Sequence, residues 1–189
     1  MRIIAGKFKG STLFIPKNKT TRPLKDIARE SIFNLLLHSK KTSFKFENSN
    51  ILDLYAGSGS FGLECLSREA NSVCFVEKEK DSLKYLEKNI NKLNLKTKSK
   101  LFLDDVFKLV ENQNFYESKF DLIFCDPPFK FEKIEKLIQL ILKKKLLKKD
   151  GIIILHRKKN TKDNFPNCFE VIDERIYGIS KIFFGKFLA

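Results

Sequence analysis

A glycine cluster between a strand-like and a helix-like run constrains this chain most. Ile51-Leu52-Asp53-Leu54-Tyr55 reads as a strand, Gly57-Ser58-Gly59-Ser60-Phe61-Gly62 spells G-x-G-x-x-G, and a helical pattern follows through about Glu69. Glycines at such a junction let the backbone turn sharply and let a ligand approach the helix N-terminus without a Cβ in the way. The alternation then repeats. Residues 73–76, 101–103, 120–125 and 152–155 read as strands, the last opened by Gly151. Between them lie helical stripes of Leu83, Leu86, Ile90 and Leu93, a short helix at 106–110, and a stripe of Ile134, Leu137, Ile138, Ile141 and Leu142. This predicts an α/β fold with a mostly parallel, doubly wound sheet. Runs at 169–176 and 179–187, around Tyr177-Gly178 with no helix between them, predict an antiparallel hairpin closing the sheet.

Ahead of the glycine loop, residues 1–16 read as two short strands around Lys9-Gly10-Ser11. Residues 26–37 read as a helix burying Ala28, Ile32, Leu35 and Leu36, with Asp26 as N-cap. A length of 189 residues fits one domain, with 1–20 as a basic hairpin extension and 21–189 as the core. No apolar run approaches the ~18–20 residues of a membrane span, and the first apolar run breaks too early for a signal peptide. A cytoplasmic, monomeric enzyme with no membrane partner is the expectation.

Lys+Arg 37 against Asp+Glu 23 gives a net charge of +14, which favours a polyanionic partner. Lysine-rich compositional drift would scatter that charge, but its distribution is uneven. Before the first acid, Asp26, come Arg2, Lys7, Lys9, Lys17, Lys19, Arg22 and Lys25. This front segment is the candidate nucleic-acid surface. Cys65, Cys74, Cys125 and Cys168 share no close spacing and have only His38 and His156 as companions, so neither a metal site nor a disulfide framework is expected.

Glu77 ends the second strand about 20 residues past the first glycine, where an acid can accept hydrogen bonds from ribose hydroxyls. Asp53 lies four residues before that glycine. A carboxylate there would repel the pyrophosphate of NAD but suits a ligand bearing an ammonium group and a sulfonium. S-adenosylmethionine carries both. Asp104 and Asp105 follow the third strand; Asp105 suits the adenine amino group, the alternative being a helix N-cap.

Asp126-Pro127-Pro128-Phe129 leaves the fourth strand directly, so it faces the same crevice as the glycine loop. An exocyclic amine on a base is a poor nucleophile because its lone pair is conjugated into the ring. The Asp126 carboxylate and the Pro127 carbonyl can accept its two N–H bonds and redirect the lone pair toward an electrophilic methyl, while Phe129 stacks on the ring.

These residues resemble a class I S-adenosylmethionine-dependent methyltransferase, and more closely the bacterial 16S rRNA (guanine-N2)-methyltransferase family acting at guanine 966. The similar stretches are Met1-Arg2-Ile3-Ile4-Ala5-Gly6-Lys7, Thr21-Arg22-Pro23, Arg29-Glu30 with Phe33-Asn34, Asp53 through Gly62, Gly62-Leu63-Glu64 with Leu66-Ser67-Arg68, Asp126 through Phe129, and Tyr177-Gly178. The resemblance implies a Rossmann-like seven-stranded sheet with an antiparallel last strand and an N-terminal hairpin. It implies cofactor contacts at Asp53, Gly57, Ser58, Gly59, Glu77, Asp105 and Asp126, and the target base at Asp126, Pro127, Pro128 and Phe129. It implies RNA contacts at Arg2, Lys7, Lys9, Arg22 and Arg29, with small-subunit rRNA, naked or in a partly assembled subunit, as partner. Glu64 has an alternative reading as an i,i+4 partner of Arg68. Departures are Leu24, Lys78 and His156; the last stands where the family commonly has an acid.

Alternatives are amine methylation of adenine in DNA or of a protein glutamine, and an RNA-binding protein that has lost catalysis. A DNA enzyme needs a sequence-reading domain for which 189 residues leave no room. Glutamine enzymes favour Asn and Tyr at the ends of the proline loop. An intact Asp126-Pro127-Pro128-Phe129 argues against loss of catalysis.

Overall fold

The structure, a computed structural model, describes residues 1–16, 26–42, 44–112, 116 and 118–188. The elements run α1 (Asp26–His38), β1 (Asn50–Leu54), α2 (Ser60–Ser67), β2 (Ser72–Glu77), α3 (Lys80–Lys92), β3 (Ser99–Leu103), α4 (Val106–Glu111), β4 (Phe120–Cys125), α5 (Ile134–Lys143), β5 (Leu147–Lys158), β6 (Phe169–Tyr177) and β7 (Ser180–Phe187). They build one seven-stranded sheet in the order β3-β2-β1-β4-β5-β7-β6. β1 pairs in parallel with β2 and β4, β2 with β3, and β4 with β5, whereas β7 runs antiparallel to both β5 and β6. The terminal hairpin therefore does not simply extend the sheet. Its second strand slots inside, and β6 becomes the edge.

Two apolar layers sandwich the sheet. One joins α1, α2 and α3 to Ile51, Phe75, Leu122, Phe124, Ile152, Ile154, Ile182 and Phe184. The other joins α4 and α5 to Leu52, Leu54, Val76, Ile123, Cys125, Ile153, Leu155 and Phe183. Strands buried on both faces read as unbroken apolar runs, as Ile152 to Leu155 do. β6 keeps Glu170, Glu174 and Arg175 exposed and is bulged between Val171 and Asp173, both of which blunt an edge against pairing with another chain.

Three expectations shift in detail. β5 starts at Leu147 rather than Gly151, its pairing with β4 shifting register between Phe120 and Leu122. Asp26 lies in the first turn of α1, where its carboxylate accepts from Arg29 Nη2 at 3.0 Å. The N-terminal hairpin forms with a single antiparallel bridge, Arg2 to Thr12, and no strand. Gly6 and Gly10, at φ of +78° and +86°, turn the backbone out of the extended form, and side chains of the helical layer hold the segment instead. Glu64 on α2 accepts from Ile4 N at 2.6 Å and from Ala5 N at 2.9 Å. Ser67 Oγ accepts from Phe8 N at 3.0 Å. Asn89 on α3 accepts from Phe14 N at 2.7 Å and donates to Phe14 O at 2.9 Å. The segment is thus moulded onto the protein by buried polar groups.

Candidate active site

Side chains two apart on a strand share a face, and this alternation assembles the site. Asp53 follows Ile51, Glu77 follows Phe75, Asp126 follows Phe124 and His156 follows Ile154, so all four aim toward the α1–α3 side at the carboxyl ends of adjacent strands. Ser180 precedes Ile182 on the same face of β7. Carboxyl ends of parallel strands are where open α/β sheets bind ligands.

The glycine loop is pinned from below. Gly57 and Gly59 take φ of +56° and +80°, in the left-handed region that favours glycine. Glu77 accepts from Gly57 N at 2.7 Å and from Glu79 N at 2.8 Å, and Asp53 accepts from Gly62 N at 3.0 Å. A Cβ built on Gly57 meets nothing within 4 Å, so the space over this turn is open, whereas one on Gly59 would lie 2.2 Å from Leu86 Cδ1. Asn89, missed in the sequence, donates to Ser58 O at 3.0 Å and so joins this loop to Phe14. Its signal was a polar residue between Leu86 and Ile90 on the buried face of α3. Tyr55 also holds a positive φ, 61°, with its ring edge-on to Phe131.

Asp53 is 1% exposed. Burial pushes its carboxyl well above the usual carboxylate range, and the charges of Asp126 and Glu77 push it further, against the Gly62 amide. Three acids therefore face one crevice, and a cation there would relieve all of them. Asp105, placed on the next loop, spends Oδ1 capping α4, accepting from Phe107 N at 2.9 Å and Lys108 N at 3.3 Å. The helix-cap reading of this residue is thus realised, and the carboxylate still acts electrostatically on the Tyr55 phenol.

Asp126 has a partner the sequence concealed. Its Oδ1 lies 2.7 Å from His156 Nδ1, and His156 Nε2 lies 2.9 Å from Ser180 Oγ. A carboxylate only accepts, so Nδ1 carries the hydrogen, and Nε2 shares a hydrogen bond with the Ser180 hydroxyl. His156 is 2% exposed, while the Asp126 side chain keeps 25% exposure. Phe129 stands edge-on to the His156 ring, 5.7 Å between centroids. Pro127 is buried and Pro128 exposed.

The expected RNA residues divide. Arg2, Lys7 and Lys9 are exposed on the N-terminal segment. Arg22 lies outside the described residues, as do Thr21, Pro23 and Leu24. Arg29 is not a surface residue: it is 0% exposed, and its Nη2 donates to Arg2 O and Asp26. It shapes the segment from beneath. Glu64 makes the i,i+4 pair with Arg68, its carboxylate accepting from Nε at 2.9 Å, but it is wholly buried and also accepts from the Ile4 and Ala5 amides.

Among the described residues no helix is long and apolar enough to cross a membrane. With the geometry in place, comparison with known proteins gives a consistent result. The ribosomal RNA small subunit methyltransferase D of Haemophilus influenzae is 32% identical over 183 residues, covering 95% of this chain and 90% of that protein. The protein of the same name from Buchnera aphidicola subsp. Baizongia pistaciae is 31% identical over 83% of this chain and 76% of its own. Among solved structures, a candidate methylase of Haemophilus influenzae is 28% identical with TM-score 0.78, covering 100% of this chain and 98% of that one. A candidate methyltransferase of Escherichia coli, 24% identical with TM-score 0.84 over 100% and 98%, shares the fold. The family described as conserved hypothetical protein 95 matches residues 1–186, and the chain belongs to it.

Proposed function

We propose that this protein transfers a methyl group from S-adenosylmethionine to the exocyclic N2 of a guanine in small-subunit rRNA, guanine 966 being the expected target. The observation that carries the reading is Asp126: its Oδ2 has no hydrogen-bond partner among the described residues, while Oδ1 is held at 2.7 Å by a buried histidine. Two relatives named ribosomal RNA small subunit methyltransferase D match 95% and 83% of the chain, which supports an rRNA substrate.

The residues present fit the cofactor. The space over Gly57 is open, and Asp53 sits in a crevice whose acids call for a cation. Asp53, Gly57, Ser58, Gly59, Glu77 and Asp105 would hold it. Bound there, it supplies a methyl made electrophilic by the sulfonium sulfur. Asp126 Oδ2 and the Pro127 carbonyl accept the two amine hydrogens and turn the nitrogen lone pair out of the ring plane. Phe129 stacks on the base and fixes its rotation. As the C–N bond forms and the C–S bond breaks to leave a neutral thioether, the nitrogen would become cationic and Asp126 Oδ2 would take its proton. The target base leaves its stack to reach this depth, and the exposed Arg2, Lys7 and Lys9 hold the surrounding phosphates. The work is done by a monomer in the cytoplasm.

The test offers labelled S-adenosylmethionine with unmethylated small-subunit particles, naked rRNA and duplex DNA in parallel, then digests the product to nucleosides. Label in N2-methylguanosine is expected. Label in methyladenine would overturn the substrate, and no label with cofactor bound would overturn the activity.

A further inference from the structure

We propose that the cleft lined by Phe129 and Arg157 is a second nucleotide pocket that holds the RNA nucleotide adjoining the target guanine. The inference rests on the function proposed above. A cavity of about 210 Å³ opens between residues 129–135 and 161–164. That is below the ~300–1,000 Å³ of whole small-molecule sites, so it suits one base rather than a second cofactor.

The cleft is built, not incidental. Arg157, next to His156, points to the opposite face of β5 and ties the two walls together. Its Nε donates to both oxygens of Asp163 at 3.0 Å, and its Nη2 donates to Phe131 O. The guanidinium is 0% exposed, and its Nη1 has no hydrogen-bond partner among the described residues. Burying an ion pair is a poor way to gain stability, and its better-attested return is a fixed geometry. A second tie pins the loop after β5, where Lys159 N donates to Ile179 O at 2.8 Å.

The lining matches the three parts of a nucleotide. Lys130 and Lys162 at the mouth are exposed and lack carboxylate partners among the described residues, as suits a phosphodiester. Glu135 and Thr161 offer the acceptors and hydroxyl that ribose and base amines use. Phe129 and Phe131 supply aromatic surface for stacking. Phe129 also borders the target pocket, so a base turned out onto one side of this ring leaves its neighbour beside the other.

The experiment compares Thr161→Trp, which fills the cleft, with a Lys130→Gln/Lys162→Gln double variant. Lys149→Gln, an exposed lysine at the opposite end of β5, is the charge control. Each is assayed for methyl transfer to unmethylated small-subunit rRNA, for cofactor affinity, and for the salt dependence of RNA binding. Thr161→Trp should raise KM for RNA at least tenfold with cofactor affinity unchanged. The double variant should lower the slope of log affinity against log salt by about 1.4, at ~0.7 per single-strand phosphate. Lys149→Gln should change neither. If the wild type labels guanine N2 and both cleft variants keep its KM and slope, the pocket proposal falls alone. If the wild type places no label in guanine, the function beneath it has failed instead. Should Thr161→Trp lose cofactor binding through misfolding, the lysine pair decides.

Discussion

His156 Nδ1 holds Asp126 Oδ1 at 2.7 Å, and Oδ2 has no hydrogen-bond partner among the described residues. Asp126→Ala should abolish methyl transfer while cofactor binding survives. His156→Asn should lower kcat about 10- to 100-fold, the size expected for a misplaced catalytic group, with KM for RNA within about twofold. Ser180→Ala, which frees only the far ring nitrogen, should fall between this variant and the wild type. Steady-state kinetics on rRNA separates the three.

Asp53 gives a pH prediction of definite sign. Its folded carboxyl titrates well above its ordinary 3.8, so between those values the folded state holds a proton that the unfolded chain has lost. Stability without cofactor therefore falls as pH rises through that window. Asp53→Asn should raise Tm at neutral pH and flatten this slope, while weakening cofactor binding. Thermal melts from pH 4 to 8, with and without cofactor, provide the check.

Gly57 and Gly59 should fail differently. Gly59→Ala needs φ near +80° and drives its methyl into Leu86, so its loss is thermal stability of about 2 kcal/mol or more. Gly57→Ala meets no atom, so its cost is about 1 kcal/mol of backbone strain. That methyl stands in the open crevice, and cofactor affinity should fall more than stability does. Calorimetry of folding and of cofactor binding on the two variants gives the crossed pattern.

Glu64→Gln replaces one acceptor oxygen with an NH2 group that faces either the Ile4 amide or the Ala5 amide and Arg68 Nε. The expected loss is about 2 kcal/mol, or about 4–8 °C in Tm. RNA affinity should drop with it, because the basic segment loses its anchor, while cofactor affinity holds. Filter binding and melting curves together test this.

The sheet was readable because its strands are short apolar runs punctuated by glycine and proline, and the acids at their ends stand in local motifs. Asp53, Glu77 and the Asp126 loop needed no tertiary information to be singled out. What escaped notice depends on contacts across long separations. Asn89 meets Phe14 and Ser58 from 75 and 31 residues away, and Ser180 meets His156 from 24. The charge pattern also misled where it met burial. Arg29 reads like any other front-segment cation until the fold is known, and only then does the N-terminal backbone cover it.

The placing of β7 inside the sheet has a consequence for synthesis. A chain emerging N-terminus first lays down every other strand before Ser180 exists, and until then β5 has one free edge and β6 has no neighbour. His156 likewise waits for the hydroxyl that orients it. The crevice can be shaped early, but the contact that orients His156 and the inner pairing of β5 form only when the last strand threads home.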